Sequence, residues 1–265
     1  MFAASKGPSV GCQLNAFPLK PGDLGALIGA LEEIAKMNYA GFECNIRFVK
    51  PFLGELRSTR ERIGKTGMTF VGAHTSMDEA ADSGFADAVK SVAALGVKTI
   101  VMSGKGLAND GNFSSDDARK KAAALDGFGR LCVANKIRLS YHNHNPEFAN
   151  HNAEMEALAR FTNPELVSFL MDAGHAHLGG GDPAAFLSAH AKRVFGIHLK
   201  TFRGKEMTGQ QPLGRGDFDF EDVAAAVKKT QWSGWLIDEE GGGPIPGNFA
   251  ALPGDREHIR QLFGR

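Results

Sequence analysis

The stretch QLNAFPLKPGD, residues 13–23, follows the first candidate strand and decides between two folds. In a doubly wound open sheet this turn is rich in glycine, so that the backbone can approach a phosphate at the next helix N-terminus. QLNAFPLKPGD has no such glycine pattern, and an open nucleotide-binding sheet is set aside. Outward from this turn, short apolar runs alternate with longer amphipathic segments along the chain. Candidate strands cover 10–15, 41–45, 69–74, 98–103, 137–144, 167–172, 194–200 and 235–240. Helical patterns cover 23–37, 54–66, 80–95, 114–135, 153–161, 183–190 and 220–230, and DREHIRQLF (255–263) adds an eighth. Plausible caps accompany several of them. Serines and acids open SSDDARKKAAALDGF, and Asp182 stands at the cap position before Pro183. Eight strand–helix units in 265 residues predict a (β/α)8 TIM barrel forming a single domain over 1–265.

Composition narrows the function. Lys plus Arg and Asp plus Glu each number 30, so the net charge is zero, and the pI is near 7.1. That balance lacks the basic footprint of a nucleic-acid binder or of a polybasic membrane contact. Cys12, Cys44 and Cys132 have no CxxC spacing and are odd in number, which predicts buried or free thiols in a reducing compartment. No apolar run is long enough to span a bilayer, and MFAASKGPSV lacks the apolar core of a signal peptide. A cytoplasmic protein is expected.

Active sites of such barrels sit at the C-terminal ends of the strands. The candidate strands here end in Gln13 and Asn15, Glu43 and Asn45, His74, Ser103, His142 and His144. Beyond these come Asp172 and His175, His198 and Lys200, and Glu239 and Glu240. One polar strand end means little, because strand ends face solvent. A ring of ionisable groups around one mouth points to a shared ligand, since such groups are rarely buried without a partner. In LSYHNHNPEF (139–148) the alternation of an extended strand puts His142 and His144 on one face and Tyr141 and Asn143 on the other. Histidines can satisfy one another or a carbonyl, but they are also the commonest metal ligands. His142, Asp172, His198 and Glu239 come from strands five to eight, and imidazoles with carboxylates suit a divalent first-row ion. His151, His177, His190 and His258 are read as loop and helix residues without a role in the site.

YHNHNPEF, MDAGHAHLGGGDPAAFL, KRVFGIHLK, PLGRGDFDFEDV and WSGWLIDEE together resemble the xylose-isomerase-like TIM-barrel superfamily of sugar isomerases and epimerases. Within it the chain is most similar to the sugar phosphate isomerase/epimerase family with its inosose dehydratase-like members. The resemblance implies one divalent ion, Mn²⁺ first with Zn²⁺, Co²⁺ or Mg²⁺ as alternatives, held by a Glu–Asp–His–Glu set. Asp172, His198 and Glu239 match three of those positions, and the fourth, on strand five, is His142 in place of a glutamate, with His144 on the same face as the alternative. The ketose epimerases use the strand-five and strand-eight glutamates as opposed bases, so this departure counts against symmetrical two-base epimerisation.

The expected chemistry is proton abstraction next to the carbonyl of a ketose or keto-polyol, through an enediolate. Glu239 is the expected base, His74 the second acid/base, and Lys200 the group that holds an oxyanion or hydroxyl; a rim lysine paired with Glu240 is the bland alternative. His144, His175, Glu43, Gln13 and Glu147 are expected to contact substrate. The expected partner is a small-molecule sugar or polyol, with neither nucleic acid nor membrane, and a homo-oligomer is compatible with the sequence. A lyase or dehydratase acting on the same enediolate is the rival enzyme, and a metal-free sugar-binding barrel the rival outside catalysis. The endonuclease IV branch needs further His and Asp ligands and a basic surface that this chain lacks. The glycine and proline run of DEEGGGPIPG (238–247) is expected to form a flexible lip over the site.

Overall fold

The computed structural model describes residues 7–81, 84–241 and 246–265. Its eight parallel strands are Ser9–Gln13, Gly41–Asn45, Thr69–Ser76, Thr99–Ser103, Arg138–His142, Val167–Asp172, Val194–Leu199 and Trp235–Asp238. They close into a barrel in which strand one pairs with strands two and eight, and no edge is left open. The expected TIM barrel is therefore observed. The principal helices between strands, such as Leu24–Lys36 and Ser115–Ala134, pack outside the barrel. Ser114 and Asp182 cap their helices as read from the sequence, accepting backbone N–H groups at 3.1 and 2.8 Å, and Asp23, read as the first residue of its helix, is a cap instead, accepting at 2.8 Å. Each such cap stabilises its helix by about 1 kcal/mol.

Two apolar layers follow from strand alternation. Outward residues such as Phe42, Ile100, Tyr141 and Phe169 join the helices in the main core. Inward residues Val71, Val101, Leu170 and Ile237 form a separate plug inside the barrel, flanked by Phe195 and Trp235. The polar strand ends lie one step further along the same inward rows, which is why they share one mouth.

The observed elements differ from the sequence reading mostly at their ends. Strand five stops at His142 and strand eight at Asp238, so His144, Glu239 and Glu240 belong to the loops beyond. Beyond His142 a side chain replaces the ladder: the Asn143 amide accepts from Asp172 N at 2.8 Å and donates to Asp172 O at 3.1 Å. The single helix expected over 80–95 is instead Met77–Ala80, with a Ser76/Glu79 capping box, followed by Phe85–Ala94. A short helix, Ala173–Leu178, was missed because so few residues show no periodicity. It lies flat on the end of strand seven, and a side chain at Gly174 would strike the Lys200 carbonyl. The three cysteines are free and buried, as expected. Among the described residues no helix is long and apolar enough to cross a membrane. Residues 242–245 of the expected lip lie outside the described residues.

Candidate functional site

Neighbouring strands place the ends of strands six and seven side by side, with Asp172 opposite His198 in register. Asp172 caps helix Ala173–Leu178 through Oδ1, which accepts from His175 N at 2.7 Å. Its other oxygen, Oδ2, therefore turns into the mouth. Around Oδ2 stand His142 Nε2 at 4.0 Å, His175 Nε2 at 3.8 Å, His198 Nδ1 at 3.8 Å and Lys200 Nζ at 3.0 Å. Glu239 closes the group, with Oε2 2.7 Å from His198 Nδ1 and Oε1 2.7 Å from Lys200 Nζ. Glu43 approaches from across the lumen, its Oε2 3.1 Å from His198 Nε2.

The imidazoles form a contiguous patch. The His142 ring lies 4.7 Å from that of His198, 5.1 Å from His74 and 5.2 Å from His144, while His144 lies 5.0 Å from His175. Asn145 Oδ1 lies 2.5 Å from His175 Nδ1 and orients that ring. Gln13 is buried at the end of strand one, level with Glu43 in the ladder. Glu147 is not in the mouth. Its carboxylate accepts from Tyr141 Oη at 2.7 Å and from the His144 N–H at 3.1 Å, on the outward side of strand five. The expectation of a substrate contact at Glu147 is corrected accordingly, because the Tyr141 hydroxyl captures the carboxylate and alternation sends Tyr141 away from the lumen. Lys200 faces inward to Asp172 and Glu239, so the rim pairing with Glu240 is replaced by two buried ion pairs.

Electrostatics show what the site lacks. Burial keeps His74 neutral, its pKa pushed down to about 4. Burial and the Lys200 ammonium push His175 to about 3, and burial with the His198 charge holds His142 well below the usual imidazole value. Burial works against ionising Asp172 and Glu239, yet Lys200 and the facing imidazoles outweigh it; Asp172 is held well below the carboxylate range and Glu239 falls to about 2. His198 shows the opposite balance. Burial disfavours its charged form, but Glu43 and Glu239 raise it well above the usual value.

Three carboxylates, Glu43, Asp172 and Glu239, face a single ammonium, Lys200. Glu43 and Glu239 hold His198 protonated in the metal-free cluster, which leaves one negative charge in excess; a cation that displaces that proton faces two, the charge of one divalent ion. His142 Nδ1, Asp172 Oδ2, His198 Nδ1 and Glu239 Oε2 are all buried without an aligned hydrogen bond among the described residues. Native interiors rarely tolerate such atoms unless an ion or water satisfies them. Ligand atoms of His142, Asp172 and His198 lie within 4.8 Å of one another. The donor set thus fits a divalent ion. Sequence reasoning missed Asn143 and Asn145, which hold Asp172 and His175; their signal was the run of asparagines among the histidines of HNHN.

A profile of the xylose isomerase-like TIM barrel matches residues 31–261. The chain belongs to that family. An inosose dehydratase of Salmonella agona is 26% identical over 144 residues, covering 48% of each chain. The chain spans about half the length of the curated relatives it matches first. The 3-keto-D-glucoside 4-epimerase YcjR of E. coli superposes with a TM-score of 0.71 at 15% identity, covering 97% of this chain and 100% of that one. The IolI protein, solved with a bound zinc atom, gives 0.74 at 14% identity, covering 97% and 98%. At such identities the likeness to these structures is one of fold.

Proposed function

We propose that this protein is a divalent-metal-dependent enzyme that abstracts a proton next to the carbonyl of a keto-sugar or cyclic keto-polyol. The observation that carries this reading is the set of buried oxygen and nitrogen atoms on His142, Asp172, His198 and Glu239 that lack an aligned hydrogen bond among the described residues, in a cluster with excess negative charge. These four residues would hold the ion, Mn²⁺ by the family resemblance, with Zn²⁺, Co²⁺ or Mg²⁺ able to use the same donors. A bound divalent ion supplies Lewis-acid polarisation of the substrate carbonyl.

The chain's own groups supply the proton chemistry. Glu239 Oε1 takes the substrate proton, and Lys200 Nζ, 2.7 Å from it, donates to the oxygen on which negative charge develops. In the resting cluster Lys200 and His198 suppress the basicity of Glu239. When the ammonium turns to a substrate oxygen, Glu239 loses that stabilising partner and becomes the stronger base. His74, whose ring stands beside that of His142, would return a proton on the other side after taking one up from solvent.

Isomerisation is the first outcome of this chemistry. Dehydration is the second reading, favoured by the inosose dehydratase relatives and by the presence of His142 where two-base epimerases carry a glutamate. A screen of ketoses, 3-keto-glycosides and inososes in D₂O, with elemental analysis of the purified protein, tests both. Solvent deuterium in a sugar product indicates isomerase, and an enone indicates dehydratase. A protein that retains no divalent metal and exchanges no proton with any of them refutes the proposal.

A further inference from the structure

We propose that Glu43 is a positioning residue for His198, an inference that rests on the metal site proposed above. Glu43 and His198 are both 0% exposed and meet across the barrel lumen, from strands two and seven. The Glu43 Oε2 to His198 Nε2 distance of 3.1 Å suits an Nε2–H donating to the carboxylate. With a cation bound, that proton leaves Nδ1 as the lone-pair nitrogen of a neutral ring. Nδ1 is the atom that faces Asp172 and Glu239 and lacks an aligned hydrogen bond among the described residues. A carboxylate on the far nitrogen of a ligand histidine fixes the tautomer, holds the ring plane and raises ligand basicity.

The fold makes room for Glu43 deliberately. Strand two pairs Phe42 with Phe70 but Glu43 with Gly72, so Val71 is an extra residue and the register shifts at that point. Such a bulge re-aims the side chains beside it. A Cβ at Gly72 would stand 3.1 Å from Glu43 Cγ and 2.7 Å from a methyl of Val101, so the residue facing Glu43 has to be glycine. The second carboxylate oxygen, Oε1, is buried with no hydrogen-bond partner among the described residues. A wholly buried carboxylate with one imidazole as its hydrogen-bonded partner is costly unless positive charge lies close by. A cation on the other side of His198 supplies that charge through the ring.

The test uses Glu43→Met, which keeps bulk and removes the acceptor, and Glu43→Gln, whose amide oxygen can still accept from Nε2–H. Metal affinity, read by chelator competition with Zn²⁺ and Mn²⁺, should weaken about 10–100-fold in Glu43→Met and less in Glu43→Gln. In zinc-loaded wild type, a two-bond ¹H–¹⁵N spectrum should show His198 protonated at Nε2 and metal-shifted at Nδ1, with the His198→Asn variant giving the assignment. That second measurement stands even if Glu43→Met does not fold. Metal bound through Nε2, or wild-type affinity in folded Glu43→Met, overturns the role of Glu43 and leaves the metal site standing. A raised KM with unchanged metal affinity would make Glu43 a substrate contact instead. A wild-type protein that binds neither ion removes the metal site itself, and this inference with it.

Discussion

Two buried ionic clusters lie on opposite faces of the fifth strand. On the outward face, Lys121 pairs with Glu154 and donates to the Lys105 carbonyl at 2.7 Å, while Glu154 also accepts the Leu107 N–H at 2.6 Å. Glu147 completes that group by accepting from Tyr141 and His144. On the inward face stand His142, Asp172, His198, Lys200 and Glu239. Burial and charge do not tell them apart. Hydrogen bonding does: among the described residues the outward carboxylates have partners for both oxygens, whereas the inward group keeps several atoms without an aligned hydrogen bond. A completed network rigidifies a fold, and an incomplete one is held ready for a ligand. The outward cluster also serves the inward one, because Glu147 grips the His144 N–H and sets the course of the chain past His142.

The sharpest way to break this comparison is Glu239→Gln. It retains shape and removes the proposed base, so solvent deuterium exchange into substrate should fall by about 10²–10⁴-fold. The unfolding midpoint of the metal-free protein should fall, since Lys200 and His198 hold the Glu239 carboxylate charged and lose that partner. Exchange at the wild-type rate would disqualify Glu239 and leave His74 as the leading base.

Lys121→Met should cost stability and leave the inward site intact. It strands the Glu154 carboxylate in the core, and urea denaturation should show a loss of about 3–5 kcal/mol. Metal stoichiometry by elemental analysis should stay unchanged; loss of the metal in a still-folded variant would mean that the two clusters are one functional unit.

A third buried acid gives a smaller effect. Asp255 accepts from Leu213 N at 2.7 Å through Oδ1, while Oδ2 has no partner among the described residues. Burial raises its pKa from 3.8 to about 6. A folded-state value above the unfolded one means that the folded protein binds this proton more tightly. Its contribution to stability is complete below about pH 4 and is lost as the pH rises through about 6. Asp255→Asn keeps the bond to Leu213 and should flatten that decline, by about 1–3 kcal/mol between the two limits. Denaturation midpoints that fall equally in variant and wild type from pH 4 to 7 would contradict this origin.

Strand and helix periods are local properties, and the chain displays them openly. Eight apolar runs, their polar ends and the caps at Ser114 and Asp182 were legible because each depends on residues a few positions apart. The gathering of His142, Asp172, His198 and Glu239 followed from the same alternation once a barrel was inferred. Glu147 was misplaced for an equally physical reason. A loop residue has no alternation to aim it, and the Tyr141 hydroxyl, which sequence reading assigned only to the outer face, decides its direction.

By itself, then, the sequence determined the closed eight-strand barrel and the residue types that crowd its C-terminal mouth. Only the tertiary structure decided which of those groups meet. Glu43 reaches His198 from 155 positions away, through a bulge that no periodicity announces. Lys200 chooses Asp172 and Glu239 over its rim neighbour Glu240 because strand seven turns its side chain inward. Such pairings cross the lumen between strands far apart in the chain. They are set by barrel closure and by the energy of burying charge, and neither acts until the whole sheet has formed.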